Sequence, residues 1–184
     1  MSDTEDRNLL ARHAAGDSRA FPALYRKYHR RVFGYCWRML GNRDEVDDIV
    51  QNVFTRAFET VRSLASPELL YCWLFSIARN EILRTFRTAK RRRTLSLDED
   101  VWDPETPFDK TVQLEERELV EEGINRLKPE YREVIVLRQF EGLSYAEIAA
   151  VTGDSLSSVE SRLFKARKAL VKFLEPVLRE KEDS

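Results

Sequence analysis

The stretch from Gly142 to Leu170, GLSYAEIAAVTGDSLSSVESRLFKARKAL, limits what this chain can fold into more than any other. Ser144 stands where a helix N-cap is needed, and Glu147, three residues on, completes a capping box. Ile148 and Ala149 then share a face, and the small Ala149 lets another helix approach closely. Gly153 supplies the backbone freedom of a tight turn. A second start follows at Ser155, with Ser157 and Glu160 as a competing capping box. Val159, Leu163, Ala166 and Leu170 recur at helical spacing and form an apolar stripe. Arg162, Lys165, Arg167 and Lys168 occupy the other face. The stretch therefore predicts two helices joined by a turn, the second basic on its outer side.

A short helix, a glycine turn and a basic second helix make the pattern of a helix-turn-helix that reads duplex DNA. An ordinary helical hairpin with a solvated basic face has the same pattern, and this stretch alone does not separate the two. Charge elsewhere bears on the choice. The net charge is only −1, although 34% of residues are charged. That balance conceals segregation: Arg84, Arg87, Lys90, Arg91, Arg92 and Arg93 crowd together, and Asp98, Glu99, Asp100, Asp103, Glu105 and Asp109 follow almost at once. Separate segments with opposite charge suit separate partners.

At 184 residues, 42% of them hydrophobic and 10% aromatic, the chain can fill one core or two small ones. Met1 to Asp6 reads as a polar tail, and Asn8 to Ala15 as a short helix ended by Gly16 and Asp17. A longer helix starts near Asp17 or Ser18. Pro22 falls near its first turn, and Phe21, Leu24, Tyr28, Val32, Tyr35 and Met39 make its stripe. Gly41 and Asn42 end it. The next helix, from Arg43 or Asp44, buries Ile49, Val50, Val53, Phe54, Ala57, Phe58 and Val61, with Asp47, Asp48, Gln51 and Asn52 on its polar side. Ser63 to Pro67 is a loop. From Glu68 a fourth helix carries Leu70, Trp73, Leu74, Ile77, Ala78 and Phe86 into the basic cluster that ends at Arg93. Arg79, Asn80, Arg84 and Arg87 sit among Trp73, Phe75 and Phe86, a mixture that suits single-stranded nucleic acid and equally suits aromatics in a core with arginines in water.

Residues 94–112 are acidic, poor in apolar side chains, and contain Pro104 and Pro107, so they read as a linker. Helices follow over Gln113 to Arg126, with Leu114, Leu119, Val120 and Ile124 apolar, and from Pro129, with Val134 to Leu137 and Phe140 apolar. The last helix is expected to run to Pro176. No strand pattern occurs. The expected fold is all-α: two small helical domains, 1–93 and 113–184, joined by a flexible acidic linker, the second containing the helix-turn-helix. Cys36 and Cys72 read as small buried thiols, and His13 and His29 are too isolated for a metal site. No nucleophile with a base, metal cluster or Gly-rich phosphate loop is legible, so no catalysis and no cofactor is expected. Met1 to Arg7 is not a signal peptide, and no apolar run could cross a bilayer, so the expected location is the cytoplasm.

Four stretches, taken together and in order, resemble bacterial RNA polymerase sigma factors of the extracytoplasmic-function (ECF) group, which keep only sigma regions 2 and 4 of the sigma-70 family. DSRAFPALYRKYHRRVFGYCWRMLGN resembles the opening of region 2, and DEVDDIVQNVFTRAF its central helix. YCWLFSIARNEILRTFRTAKRR resembles the promoter-melting helix, and INRLKPEYREVIVLRQFEGLSYAEIAAVTG with SVESRLFKARKAL resembles region 4. The resemblance implies a specificity subunit that binds core RNA polymerase, recognises −35 and −10 elements and assists promoter opening.

It implies that Asp47, Asp48, Gln51 and Asn52 dock on the β′ clamp, and that region 4 meets the β flap. At −10, Ser63, Leu64, Ala65, Arg79, Asn80, Arg84 and Arg87 would hold a single strand, with Asn80 on a base edge and a flipped base in a pocket. At −35, a duplex would meet Arg138, Ser144, Tyr145, Ser158, Glu160, Ser161, Arg162, Phe164 and Lys165. An anti-sigma factor is implied as a further partner, with no membrane insertion.

Four positions depart from the family pattern. Leu64 and Ala65 stand where an aromatic and a basic or polar residue are common, so the −10 preference does not follow from the resemblance. Asp154 replaces an apolar residue after the turn glycine. Glu160 replaces a basic one, and its carboxylate can accept a hydrogen bond from cytosine N4, which points to a role in −35 selection. A helix-turn-helix regulator acting without polymerase, and a basic helical scaffold or enzyme, are the other readings. Reconstitution with sigma-free core polymerase separates them.

Overall fold

A computed structural model describes residues 3–61, 64, 66–95 and 116–182, which form eight α-helices and one short 3-10 turn, with no strand among them. The expected linker, apart from Thr94 and Leu95, lies outside the described residues, as do Ser63 and Ala65.

Four helices make the first unit: α1 (Asp3–Ala14), α2 (Ala20–Leu40), α3 (Arg43–Thr60) and α4 (Leu70–Leu95), the last preceded by the 3-10 turn Pro67–Leu69. The boundary between α2 and α3 is set locally. Gly41 takes the left-handed conformation (φ 70°), and its N–H donates to the Trp37 carbonyl at 2.8 Å. Asn42 then caps α3 through Oδ1, which accepts from the Asp44 N–H at 3.1 Å, and Asp44 and Glu45 favour the positive end of the helix. Leu24, Tyr28, Val32, Tyr35 and Met39 of α2 are buried as their spacing predicts, against Val46, Ile49, Val50 and Val53 of α3.

The polar-tail reading of Met1 to Asp6 is corrected. Helix α1 begins at Asp3, and Asp6 is buried, accepting hydrogen bonds from the Tyr28 hydroxyl and, at 2.5 Å, from Lys27 Nζ. Burial opposes the charge on Lys27, but its bonds to Asp6 and Glu5 prevail and raise its pKa. Phe58 is also corrected: it lies 55% exposed, packed edge-on against Phe21 rather than inside the core. In α4 the two readings of the aromatics separate. Phe75 is fully buried, in ring contact with Tyr35 and Tyr71, and is unavailable for stacking on a base, while Trp73 is partly buried against the core.

The second unit comprises α5 (Glu116–Asn125), α6 (Pro129–Gln139), α7 (Tyr145–Thr152) and α8 (Leu156–Glu182). Pro129 opens α6, where its missing N–H is harmless. Helix α8 runs under the other three. It lies close against α5 at Gly123, where a Cβ would meet the Phe173 ring at 2.8 Å. Val120, expected in the α5 stripe, faces outward instead, and Leu114 lies outside the described residues. Helix α8 also continues past Pro176 to Glu182, because proline removes one donor while its φ remains helical.

The two units pack directly on each other, α7 against α4 and α6 against α2. Glu133 of α6 is buried, and its Oε1 accepts from the Tyr35 hydroxyl at 3.0 Å and from Arg79 Nε at 2.9 Å. Glu141, after α6, is also buried. Its carboxylate accepts from Arg31 Nε at 3.1 Å and the Tyr71 hydroxyl at 2.8 Å, and its carbonyl from Arg31 Nη2 at 2.6 Å. Around this pair, Arg38 lies 3.9 Å over the Phe140 ring, and Arg132 Nη1 donates to the Met39 carbonyl at 3.3 Å.

Candidate nucleic-acid interface

Helices α7 and α8 form the turn that the sequence predicts. The Ser144 Oγ accepts from the Glu147 N–H at 3.2 Å, and Glu147 Oε2 accepts from the Ser144 N–H at 2.7 Å, which is the reciprocal capping box. Gly153 ends α7 with φ 72°, its N–H bonded to the Ala149 carbonyl at 2.9 Å. Of the two competing caps for α8, Ser155 takes the role, its Oγ accepting from the Ser158 N–H at 3.2 Å. With the start of α8 fixed, Val159, Leu163 and Ala166 turn into the core, buried to within 1%.

The outward side of α8 follows by subtraction. Ser157, Glu160, Ser161, Phe164, Lys165 and Lys168 are all exposed at i, i+3, i+4, i+7, i+8 and i+11. Phe164 stands in the middle of that face, 70% exposed. An aromatic ring in water, flanked by two lysines and two hydroxyls, is suited to thymine methyl groups and phosphates. Ser157 and Lys168 complete the face. The sequence offers Ser157 as a possible cap and Lys168 as one charge among several, and the helical period is the signal that joins them.

Four other expected −35 residues have structural work. Arg162 is half-buried and makes a bidentate pair with Asp154, at 2.5 and 3.1 Å. Asp154 thus joins the turn to α8. Arg138 donates to the Leu143 carbonyl at 2.8 Å and sits 5.3 Å from the centre of the Tyr145 ring, bracing the loop that enters α7. Ser144 is committed to its capping box. Ser158 is only partly exposed, its N–H held by Ser155.

On the first unit, Asn80, Arg84 and Arg87 are exposed on one face of α4. Arg79 points about 100° away round the helix from Asn80, into the contact with Glu133. The structure therefore brings together three of the four expected −10 residues on α4 and sets the fourth, Arg79, apart. Leu64 is partly buried against the core.

Asp47, Asp48, Gln51 and Asn52 form an exposed ridge on α3 with a depression on each side. One, of about 550 Å³, lies along Asp47 and Gln51 and is walled by Phe21, Tyr25, Phe54 and Phe58. The other, of about 300 Å³, is polar and places Asp48 and Asn52 beside Glu81 and Arg84. Arg56 holds Glu81 at 2.6 Å, so the carboxylate beside Arg84 is already paired.

Two family models match the chain, one described as sigma-70 region 2 over residues 24–92, the other as sigma-70 region 4 over residues 117–170. The RNA polymerase sigma-H factor of Pseudomonas aeruginosa is 31% identical over 98% of this chain and 99% of its own length. The ECF RNA polymerase sigma-E factor of Escherichia coli K12 is 32% identical over 95% of this chain and 96% of its own. Among solved structures, CnrH in complex with the cytosolic domain of CnrY superposes with a TM-score of 0.67 at 29% identity, over 94% of this chain and 98% of that one. The sigma factor RpoE of Bartonella quintana, solved with the anti-sigma factor NepR, shares the fold with a TM-score of 0.69 at 24% identity, over 84% of this chain and 96% of that one.

Proposed function

Since the chain belongs to the ECF group of the sigma-70 family, whose members direct promoter-specific transcription initiation with core RNA polymerase, we propose how its two helical units divide that work. The first unit, residues 1–93, docks on the polymerase clamp through the ridge Asp47, Asp48, Gln51 and Asn52. These acidic and amide groups would complement a basic partner and fix register. The same unit takes the −10 element as a single strand. Asn80 offers an amide to a base edge, Arg84 and Arg87 hold phosphates, and Ser63, Leu64 and Ala65 contact the same strand. The second unit, residues 113–184, reads the −35 duplex with the outer face of α8 and meets the β flap with its other side. Residues 94–112 link the two.

The observation that carries this reading is the sorting of α8. Val159, Leu163 and Ala166 of its stripe are buried, while Phe164 and the two lysines face water on a helix entered through a capped turn. That is the geometry of a helix for the major groove. Phosphodiester synthesis belongs to the polymerase in this proposal, and the chain works in the cytoplasm. No helix among the described residues is long and apolar enough to cross a membrane. An anti-sigma factor is part of the proposal, and the complex of CnrH with the cytosolic domain of CnrY gives a precedent for a protein partner on this fold.

The test is reconstitution. Sigma-free core polymerase, a promoter library and this protein should give specific run-off transcripts that are absent without it. Duplex binding with no engagement of polymerase would overturn the proposal in favour of a free-standing regulator.

A further inference from the structure

The border of the exposed α8 face holds an arginine that is already occupied. Arg162 lies one turn from both Ser158 and Lys165, at i−4 and i+3, so it flanks the face that carries Glu160, Ser161, Phe164 and Lys165. A helix seated in a groove brings such border positions against the phosphate backbone. An arginine there adds affinity for any sequence without choosing among sequences. Both terminal nitrogens of Arg162 are instead on the Asp154 carboxylate, at 2.5 and 3.1 Å. The two side chains are only 27% and 21% exposed, so salt screens the pair only in part.

Carboxylate and phosphate compete for the same fork, since an arginine takes either one through two parallel N–H···O bonds. The pair with Asp154 exists before DNA arrives. Exchanging it would leave a partly buried carboxylate unpaired beside the DNA backbone, which is costly. Glu133 of α6 stands on the inner side of the same arginine, close enough to feel its charge. Sequence sharpens the point. The family pattern has an apolar residue at position 154, which offers an arginine no acceptor. Glu160 is a second acid near the same end of α8, again where the family pattern is not acidic. Both departures lower the positive charge offered to phosphate, but Glu160 is exposed on the face itself and Asp154 is turned onto Arg162.

We propose that Asp154 is a positioning residue that holds Arg162 off the DNA backbone, and so sets the strength rather than the sequence preference of −35 binding. The inference rests on the reading of α8 as the helix that meets the −35 duplex. It divides the work between the two acids: Glu160 bears on which sequence is chosen, and Asp154 on how tightly any duplex is held. With one phosphate contact withheld, the second unit grips duplex weakly by itself, and DNA is held firmly only where other contacts add to it.

The experiment follows binding of the full chain to two fluorescent duplexes by anisotropy, at about 50 to 200 mM salt and up to about 100 μM protein, the range that non-specific binding needs. One duplex has random sequence. The other carries the motif that the unaltered chain recovers in a binding-site selection. Asp154→Ala and Asp154→Val both remove the carboxylate, and the second supplies the apolar residue of the family pattern. Each should steepen the salt slope by about 0.9, the counterion release of one added phosphate contact. The gain over the unaltered chain should then shrink about 3.5-fold across that salt range, equally on both duplexes. The selected motif should not change. In an Arg162→Ala background the same two substitutions should leave the slope where it is. An unchanged slope in variants of intact helical content overturns the proposal and assigns the hold on Arg162 to Glu133 or to packing. A steeper slope that persists without Arg162 also overturns it, since the gain then comes from deleting a negative charge near the backbone. A changed motif overturns the division between strength and choice. Absence of run-off transcription with core polymerase would sink the proposed function, whereas an unchanged slope beside intact run-off sinks only the role of Asp154.

Discussion

Leu163 and Phe164 are neighbours in sequence with opposite environments, 1% and 70% exposed. Leu163→Ala should lower unfolding free energy by about 2–5 kcal/mol, the range for a buried leucine that leaves a cavity. Phe164→Ala should leave the denaturation midpoint nearly unchanged and weaken −35 duplex binding by about tenfold, the scale of one lost base contact. If Phe164→Ala unfolds the protein as Leu163→Ala does, α8 is rotated from the orientation described. Glu160, on the same face as Phe164, should affect choice rather than strength. Glu160→Lys should change the motif recovered in a binding-site selection, and recovery of the same motif refutes a role for it in −35 preference. Asp154 was legible as a departure from the family pattern, but its use was not. Its partner Arg162 is eight residues away, across a turn whose path the sequence does not give.

Element boundaries came through best where one or two neighbouring residues determine them. The box of Ser144 and Glu147 is complete within four residues, and both its hydrogen bonds form. Ser144→Ala should therefore cost about 1 kcal/mol, read as a shifted midpoint at unchanged slope in urea unfolding. A loss under a few tenths would mean that α7 is held by packing alone. The stripes of α2 and α8 were legible for the same reason, since a 3.6-residue period is local. The body of α1 was legible too, but its first turn was not, because Asp6 looks like a frayed acid until Tyr28, 22 residues on, supplies its donor. Phe58 shows the converse. It keeps the period of α3 yet stays half-exposed against Phe21 and His13, although Ala57 and Val61 on either side of it are buried. Periodicity predicts which residues share a face; it does not say how far the neighbouring helix extends.

The packing of the two units was the least legible level. Glu133 and Glu141 resemble solvated helix acids, and their partners lie 54 to 110 residues away. Closure also carries a pH signature. Desolvation raises the Glu133 pKa above 4.5 in the packed form, against the opposing pull of Arg79 and the Tyr35 hydroxyl. Tyr35 from α2, Arg79 from α4 and Arg162 from α8 are the titratable or charged groups that face it, and burial raises the Tyr35 hydroxyl well above its ordinary value. When the units part, the Glu133 carboxyl returns to the ordinary carboxylate range. The closed form thus binds this proton more tightly than the open form does. By linkage, closure should strengthen as pH falls through the raised value toward 4.5, and should be independent of this group above the raised value. Glu133→Gln keeps an amide oxygen that can accept from both Tyr35 and Arg79 while removing the titration. Energy transfer between dyes placed on cysteines introduced at the exposed positions Arg26 and Lys172 should rise with falling pH in the unaltered chain. In Glu133→Gln it should stay high and flat. A slope retained in the glutamine variant would assign the pH response to another carboxylate, and a collapse of transfer at all pH values would show that closure needs the charge itself.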